Sequence, residues 1–210
     1  MAASARPLRP AILGAGPFGR HVADLLHALL PAGVRLSGTA VADAFGFGAD
    51  AVVIALWRPS PAICDQADRL AHATGTPWLP VTAEHPYVVA GPWIVPGAGP
   101  CFACYRDRRI QHDAAWPITR AIHRAYDDDP ECGPAGFLPQ HARMAAGVAA
   151  GYLAQAPATG TVTRFALLRP VPTTDRVIAC HGCERCGTTI GPRDLRRLLR
   201  LDVKEYASDG

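Results

Sequence analysis

The sequence predicts an α/β protein built on a doubly wound, largely parallel sheet. Three observations predict it. A short apolar strand, Ala11-Ile12-Leu13, runs through a glycine turn into an amphipathic helix. A continuous apolar run, "DAVVIALW" (Asp50–Trp57), has the pattern of an interior parallel strand buried on both faces. From the N-terminal strand to residue 97, β and α patterns alternate, as such a sheet requires. The 210 residues suffice for one α/β domain or two small ones, and a 49% hydrophobic content supports an ordinary core.

Each element has its own warrant. Phe18, Val22, Leu25, Leu26, Leu29 and Leu30 recur at helical spacing after the glycine turn, and Pro31 and Gly33 end that helix. "VRLSGTAV" reads as a second, weak strand. Residues 61–74 suit a helix with Ile63, Ala67, Leu70 and Ala71 inward. "PWLPV" and "YVVAGPWIVPG" read as short strands around turns, and "PGAGPCFAC" as a loop. "DDDPECGPAG" (127–136) is the clearest breaker and reads as a solvated, mobile loop. Residues 140–155 form an Ala/Gly-rich helix with Met144, Val148, Tyr152 and Leu153 inward, and "TVTRFALLRP" and "DRVIA" are late strands. These patterns give one domain over residues 1–190. A basic amphipathic tail follows over 191–210, with Arg196, Arg197 and Arg200 among Leu195, Leu198, Leu199 and Leu201. There is no internal repeat.

Composition excludes several functions. A net charge of +3 is too small to point to nucleic acid. Of 21 basic side chains only Lys204 is a lysine, so phosphate chemistry that uses a lysine point charge has no candidate in the body of the chain. No segment approaches the ~20 apolar residues of a membrane span, and the N-terminus does not read as a signal peptide. A cytoplasmic location is expected. There, the seven cysteines suggest metal binding or chemistry before disulfides.

Gly14, Gly16 and Gly19 fit GxGxxG between a strand and a helix. The motif reads either as a cradle for a nucleotide phosphate at the helix N-terminus or as a tight turn without a ligand. A dinucleotide or ATP site needs an acid after the second strand to hold a ribose. Asp43, after a poor strand, is the only nearby one, which favours the bare turn. Cys101 and Cys104 form one CxxC, and Cys180, Cys183 and Cys186 form CxxCxxC followed by Gly187. Two CxxC hairpins supply the four thiolates of tetrahedral zinc. "CERCG" has the form of a zinc knuckle, in which glycine lets backbone N–H groups face the sulfurs, so Cys183 and Cys186 are preferred over Cys180. With 78 residues between Cys104 and Cys183, such a site would clip the end of the chain to its middle. A redox or nucleophilic Cys101/Cys104 pair and unrelated buried thiols are the competing readings. Cys64 and Cys132 read as a core thiol and a loop thiol. His112-Asp113 could be a base and its orienting acid, but neighbours on a helix diverge, and surface hydrogen bonding is the simpler reading. Arg106, Arg108 and Arg109 read as a solvated face, and Asp127–Asp129 as loop solvation.

A GxGxxG unit followed by a two-CxxC site resembles the E1-like superfamily of ThiF/MoeB-type adenylating enzymes. The stretches "ALWRPSPAICDQAD", "GTPWLPVTAEHPYVVAGPWIVPGAGPCFACYRDRRIQHD" and "CHGCERCG" resemble more closely the ThiF-like partner proteins of azole-peptide (thiopeptide-type) biosynthesis. The resemblance spans roughly residues 10–187. It implies a truncated Rossmann-like E1 sheet with structural zinc on Cys101, Cys104, Cys183 and Cys186. It also implies a non-catalytic partner that binds the leader of a ribosomal precursor peptide and presents the core to a YcaO-type cyclodehydratase for azoline formation. The adenylation segment seen in active relatives is missing, so no ATP is expected, and Gly14, Gly16 and Gly19 would be a degenerate turn. The chain reaches its first strand by residue 11, so the winged-helix leader clamp of such relatives is expected to be absent, supplied by a partner or replaced by another surface. Relatives are often dimers, and the Ala/Gly helix would permit a homodimer. An ATP-dependent adenylyltransferase acting on a peptide or protein carboxylate is the alternative, and a Rossmann-type oxidoreductase the third.

Overall fold

The computed structural model describes residues 7–134, 136–169 and 171–187. The basic tail predicted for 191–210 lies outside them. Seven strands form one sheet in the order β2-β1-β3-β4-β5-β6-β7. They are β1 (Pro10–Ala15), β2 (Val34–Ser37), β3 (Ala51–Leu56), β4 (Trp78–Glu84), β5 (Tyr87–Ala90), β6 (Thr161–Ala166) and β7 (Pro172–Arg176). β2, β1, β3 and β4 are parallel, whereas β5, β6 and β7 add on antiparallel. The six helices of the described residues are α1 (Gly16–Leu29), α2 (Val41–Gly46), α3 (Pro61–Thr74), α4 (Phe102–His112), α5 (Trp116–Asp128) and α6 (Pro139–Gln155).

The parallel half is covered on both faces, which is why β1 and β3 read as unbroken apolar runs: every residue in both is buried. Alternation splits their side chains between two cores. Ile12, Val53 and Leu79 meet Phe18, Val22 and Leu26 of α1 and the alanines of α6. Leu13, Ile54 and Trp78 meet Phe45 of α2, Cys64 and Ala67 of α3, and Phe102 of α4. The antiparallel half differs. α6 covers one face of β5 and β6, where Phe165 joins the first core and Tyr152 meets Thr163. The opposite face is open, and its residues Val89, Val162 and Arg164 floor a groove.

Several local expectations need correction. α6 buries Ala142, Ala145, Ala146 and Ala149 together with Tyr152 and Leu153, while Met144 and Val148 flank the contact. Small side chains win the central face because α6 lies close on α1 and the sheet. Leu29 points out of α1 and is 57% exposed. The last strand is Pro172–Arg176 rather than 175–179, and all five of its residues are exposed, so it lacks the apolar signal that reveals interior strands. Residues 102–104, read as the end of a loop, are the first turn of α4. Asp127 and Asp128 end α5, so the irregular segment starts at Asp129.

Candidate functional site

Cys101 precedes the first residue of α4 and Cys104 lies in its first turn, so one helical turn brings both thiols to one side. Cys183 and Cys186 follow β7 and meet them there. The four Sγ atoms all lie within 4.8 Å of one another. Measured separations are 3.8 Å for Cys101–Cys104, 3.5 Å for Cys101–Cys183 and 3.6 Å for Cys104–Cys186. Tetrahedral zinc with ~2.3 Å Zn–S bonds sets its sulfurs about 3.8 Å apart, so the cluster has the size that a metal ion requires. Burial pushes the Cys104 thiol up to about 12 and raises that of Cys101 as well, so both hold their protons until a cation displaces them.

The fifth cysteine has a different place. The Cys180 backbone N–H points at Cys104 Sγ at 3.2 Å, and the Cys180 thiol faces the Cys104 carbonyl oxygen at 3.7 Å. It supports a cluster sulfur from outside. The Gly187 N–H instead donates to the Cys183 carbonyl oxygen at 3.0 Å.

Asp68, on the buried face of α3, was not legible as a site residue. It is fully buried. Its Oδ1 accepts from the Phe102 N–H at 3.1 Å and from Trp78 Nε1 at 3.4 Å. Its Oδ2 accepts from Arg185 Nη1 at 2.8 Å. Phe102 adjoins Cys101, and Arg185 lies between Cys183 and Cys186, so one carboxylate holds both arms of the cluster. The same Arg185 nitrogen is 3.1 Å from Asp65. The sequence shows an acid on the apolar stripe of a helix and an arginine inside a CxxC, but neither feature names the other as its partner.

The glycine turn is filled. Gly16 sits at φ +67°, and a Cβ there would land inside the Trp57 indole. A Cβ at Gly19 would strike the Ala55 carbonyl, so that glycine serves the contact of α1 with β3. Trp57 follows β3 and carries the Arg58 guanidinium over its ring at 5.4 Å. Arg58 also stacks on Tyr126 and donates to the carbonyl oxygens of Asp129 and Pro130 at 3.1 and 3.4 Å. Asp43, the ribose candidate, is an exposed residue of α2.

His112 and Asp113 do not form a pair. His112 ends α4, while Asp113 accepts from the Ala115 N–H at 2.8 Å, and its hydrogen bond with Thr119 is the main cause that holds its carboxyl below the usual range. The arginines read as a solvated face are engaged. Arg109 pairs with Glu84 and reaches Tyr105 Oη at 3.4 Å, Arg106 is 3.5 Å from Asp65, and Arg108 donates to the carbonyl oxygens of Ile178 and Ala179. α4 and the segment after β7 thus form two walls of the groove over β5 and β6, a space of about 980 Å³. A second pocket of about 220 Å³ lies among α3, α4, α5 and the end of β4. No helix of the described residues is long and apolar enough to cross a membrane.

No family model matches the chain, and no curated protein matches it. Solved structures do. The heterocyclase TruD is 17% identical with a TM-score of 0.63, over 93% of this chain and 29% of that one. A heterocyclase in complex with substrate and cofactor is 15% identical with a TM-score of 0.61, over 93% and 27%. Escherichia coli MccB with MccA is 14% identical with a TM-score of 0.57, over 86% and 66%. The chain therefore spans less than a third of the heterocyclases it matches. The mixed sheet with its Rossmann-like parallel half, entered through a glycine turn, is a fold that this chain shares with these heterocyclases and with MccB.

Proposed function

We propose that the chain is a non-catalytic, zinc-clipped E1-like scaffold in the biosynthesis of ribosomally made, azole-bearing peptides. It binds a precursor peptide and presents it to a YcaO-type cyclodehydratase, working as one E1-like unit over residues 1–190. The observation that carries this reading is the pairing of a heterocyclase-like fold with a glycine turn occupied by Trp57. An N-terminal helix end that receives a phosphate must leave room for it, and here an indole takes that room. The neighbours supply the partner class: one is a heterocyclase with its substrate, another is MccB with MccA. Zinc on Cys101, Cys104, Cys183 and Cys186 would supply cross-linking rather than chemistry, since four thiolates leave no open position for a substrate.

The test is co-purification of the tagged chain with a precursor peptide and a YcaO protein, alongside ATP–pyrophosphate exchange. Retention of either partner with no exchange is expected. Peptide-dependent exchange would establish an adenylyltransferase instead, and retention of neither partner would remove the scaffold reading.

A further inference from the structure

The groove over β5 and β6 and the pocket beside it are neighbours with shared lining: Glu84, Val89, Tyr105, Arg109 and His123 border both. The pocket's other walls include Phe102, Ile110, Trp116 and Pro61. At about 220 Å³ it is below the roughly 300–1,000 Å³ of a site for a drug-sized ligand and suits one large side chain. α5 forms its outer wall. None of its residues is buried; Thr119 and His123 face the pocket, while Ile118 and Ile122 stand 66% and 45% exposed. Ile122 lines the groove, as does Ile178 on the opposite wall, which is 71% exposed. A helix that shows apolar residues both to the body and away from it is a surface built to meet something further.

Charge says what that is. Of the four carboxylates on the groove and pocket, Glu84 pairs with Arg109 and Asp175 with Arg164 at 2.7 Å, while Asp113 and Asp127 accept from the backbone N–H groups of Ala115 and Ala62 and keep their charge. Arg108, Arg120, Arg124 and Arg176 line the same space, and among the described residues none has a carboxylate within ion-pair distance. Four unpaired arginines against two unpaired carboxylates leave the surface net positive around apolar ground, which complements a partner with acidic residues flanking an apolar one.

We infer that the groove binds an extended acidic peptide segment and that the pocket between α4 and α5 receives one large apolar side chain of it. This rests on the peptide-binding reading above and gives that reading an address and a sequence preference. The groove supplies length and charge, and the pocket supplies register, because a single buried anchor fixes which residue sits where.

The test measures fluorescence anisotropy of three labelled synthetic peptides with the full chain: Gly-Asp-Glu-Phe-Asp-Glu-Gly, the same with Gly for Phe, and the same with Lys for every acid. The first should bind at least about tenfold more tightly than the others, about 1.4 kcal/mol. Thr119→Trp, which fills the pocket, and Arg120→Glu with Arg124→Glu, on exposed positions, should each weaken the first peptide about tenfold in protein whose far-UV circular dichroism matches wild type. Equal affinity for all three peptides, absence of binding to any of them, or indifference to Thr119→Trp would overturn the inference. Retention of a YcaO protein or precursor peptide in the co-purification would show in those cases that the scaffold reading survives without it.

Discussion

Asp68 shows how much one residue can tie together. Its partners lie 10, 34 and 117 residues away along the chain, on β4, α4 and the segment after β7. Asp68→Ala would leave the Arg185 guanidinium and the Phe102 and Trp78 N–H groups without their acceptor. Removing one partner of a buried pair costs about 3–5 kcal/mol, so urea denaturation should show a loss of that order. The same variant should hold metal less tightly in competition with a chromophoric chelator, because both arms of the cysteine cluster lose their common anchor. Asp68→Asn keeps an acceptor for the Phe102 N–H and should fall between the two. Wild-type stability and metal affinity in Asp68→Ala would refute this role. The sequence placed Ile63, Ala67, Leu70 and Ala71 inward and read Cys64 as a core thiol; Cys64, Ala67 and Ala71 are buried and Ile63 and Leu70 partly so, but periodicity cannot say that an acid on that face has a distant cation to meet.

At the scale of elements, the cysteine cluster joins α4 to the segment that follows β7, and these two are the groove's walls. Arg108 adds hydrogen bonds between the same two walls. The rest of the sheet has its own cores and does not depend on this clip. Purified protein should carry about one zinc per chain. Cys183→Ser should lose it, and hydrogen exchange should then quicken in α4 and residues 177–187 while β1, β3 and α1 keep their protection. Global unfolding on metal loss would contradict this division, and wild type purified without metal would contradict the zinc assignment. Metal uptake must displace protons from Cys101 and Cys104, whose thiols are raised by burial, so apparent affinity should weaken steadily as pH is lowered. The sequence picked out the four cysteines that the structure brings together but placed Cys104 in a loop rather than in the first turn of α4. α4 is rich in arginine and lacks an apolar stripe, so the periodic signal of a helix is absent; its anchors are the cluster and Phe102.

For the whole molecule, the decisive feature is that the glycine turn at the start of α1 is covered by the side chain that follows β3. Trp57 lies between the Gly16 turn and Gly133, with Arg58 holding residues 129–130 over it. Differential scanning fluorimetry of the wild type with millimolar ATP should show no stabilisation, and a clear rise in melting temperature would reopen the adenylating reading. Trp57→Ala should lower stability by about 2–3 kcal/mol, less than a fully buried tryptophan because Trp57 is partly exposed. For a chain of this length that corresponds to roughly 5–10 °C.

The sequence by itself determined the β–α alternation, the interior strand at 50–57, the glycine turn and the four thiols that meet, because hydrophobic period and ligand chemistry are written in neighbouring residues. Only the tertiary structure decided that the turn is plugged by Trp57, that Asp68 and Arg185 lock the cysteine arms, and that Arg108 and Arg109 line a groove instead of a solvated face. Each of those depends on a contact across tens of residues or more, between side chains whose local context is unremarkable. Such a contact is fixed by how helices pack on the sheet, and no local pattern records it.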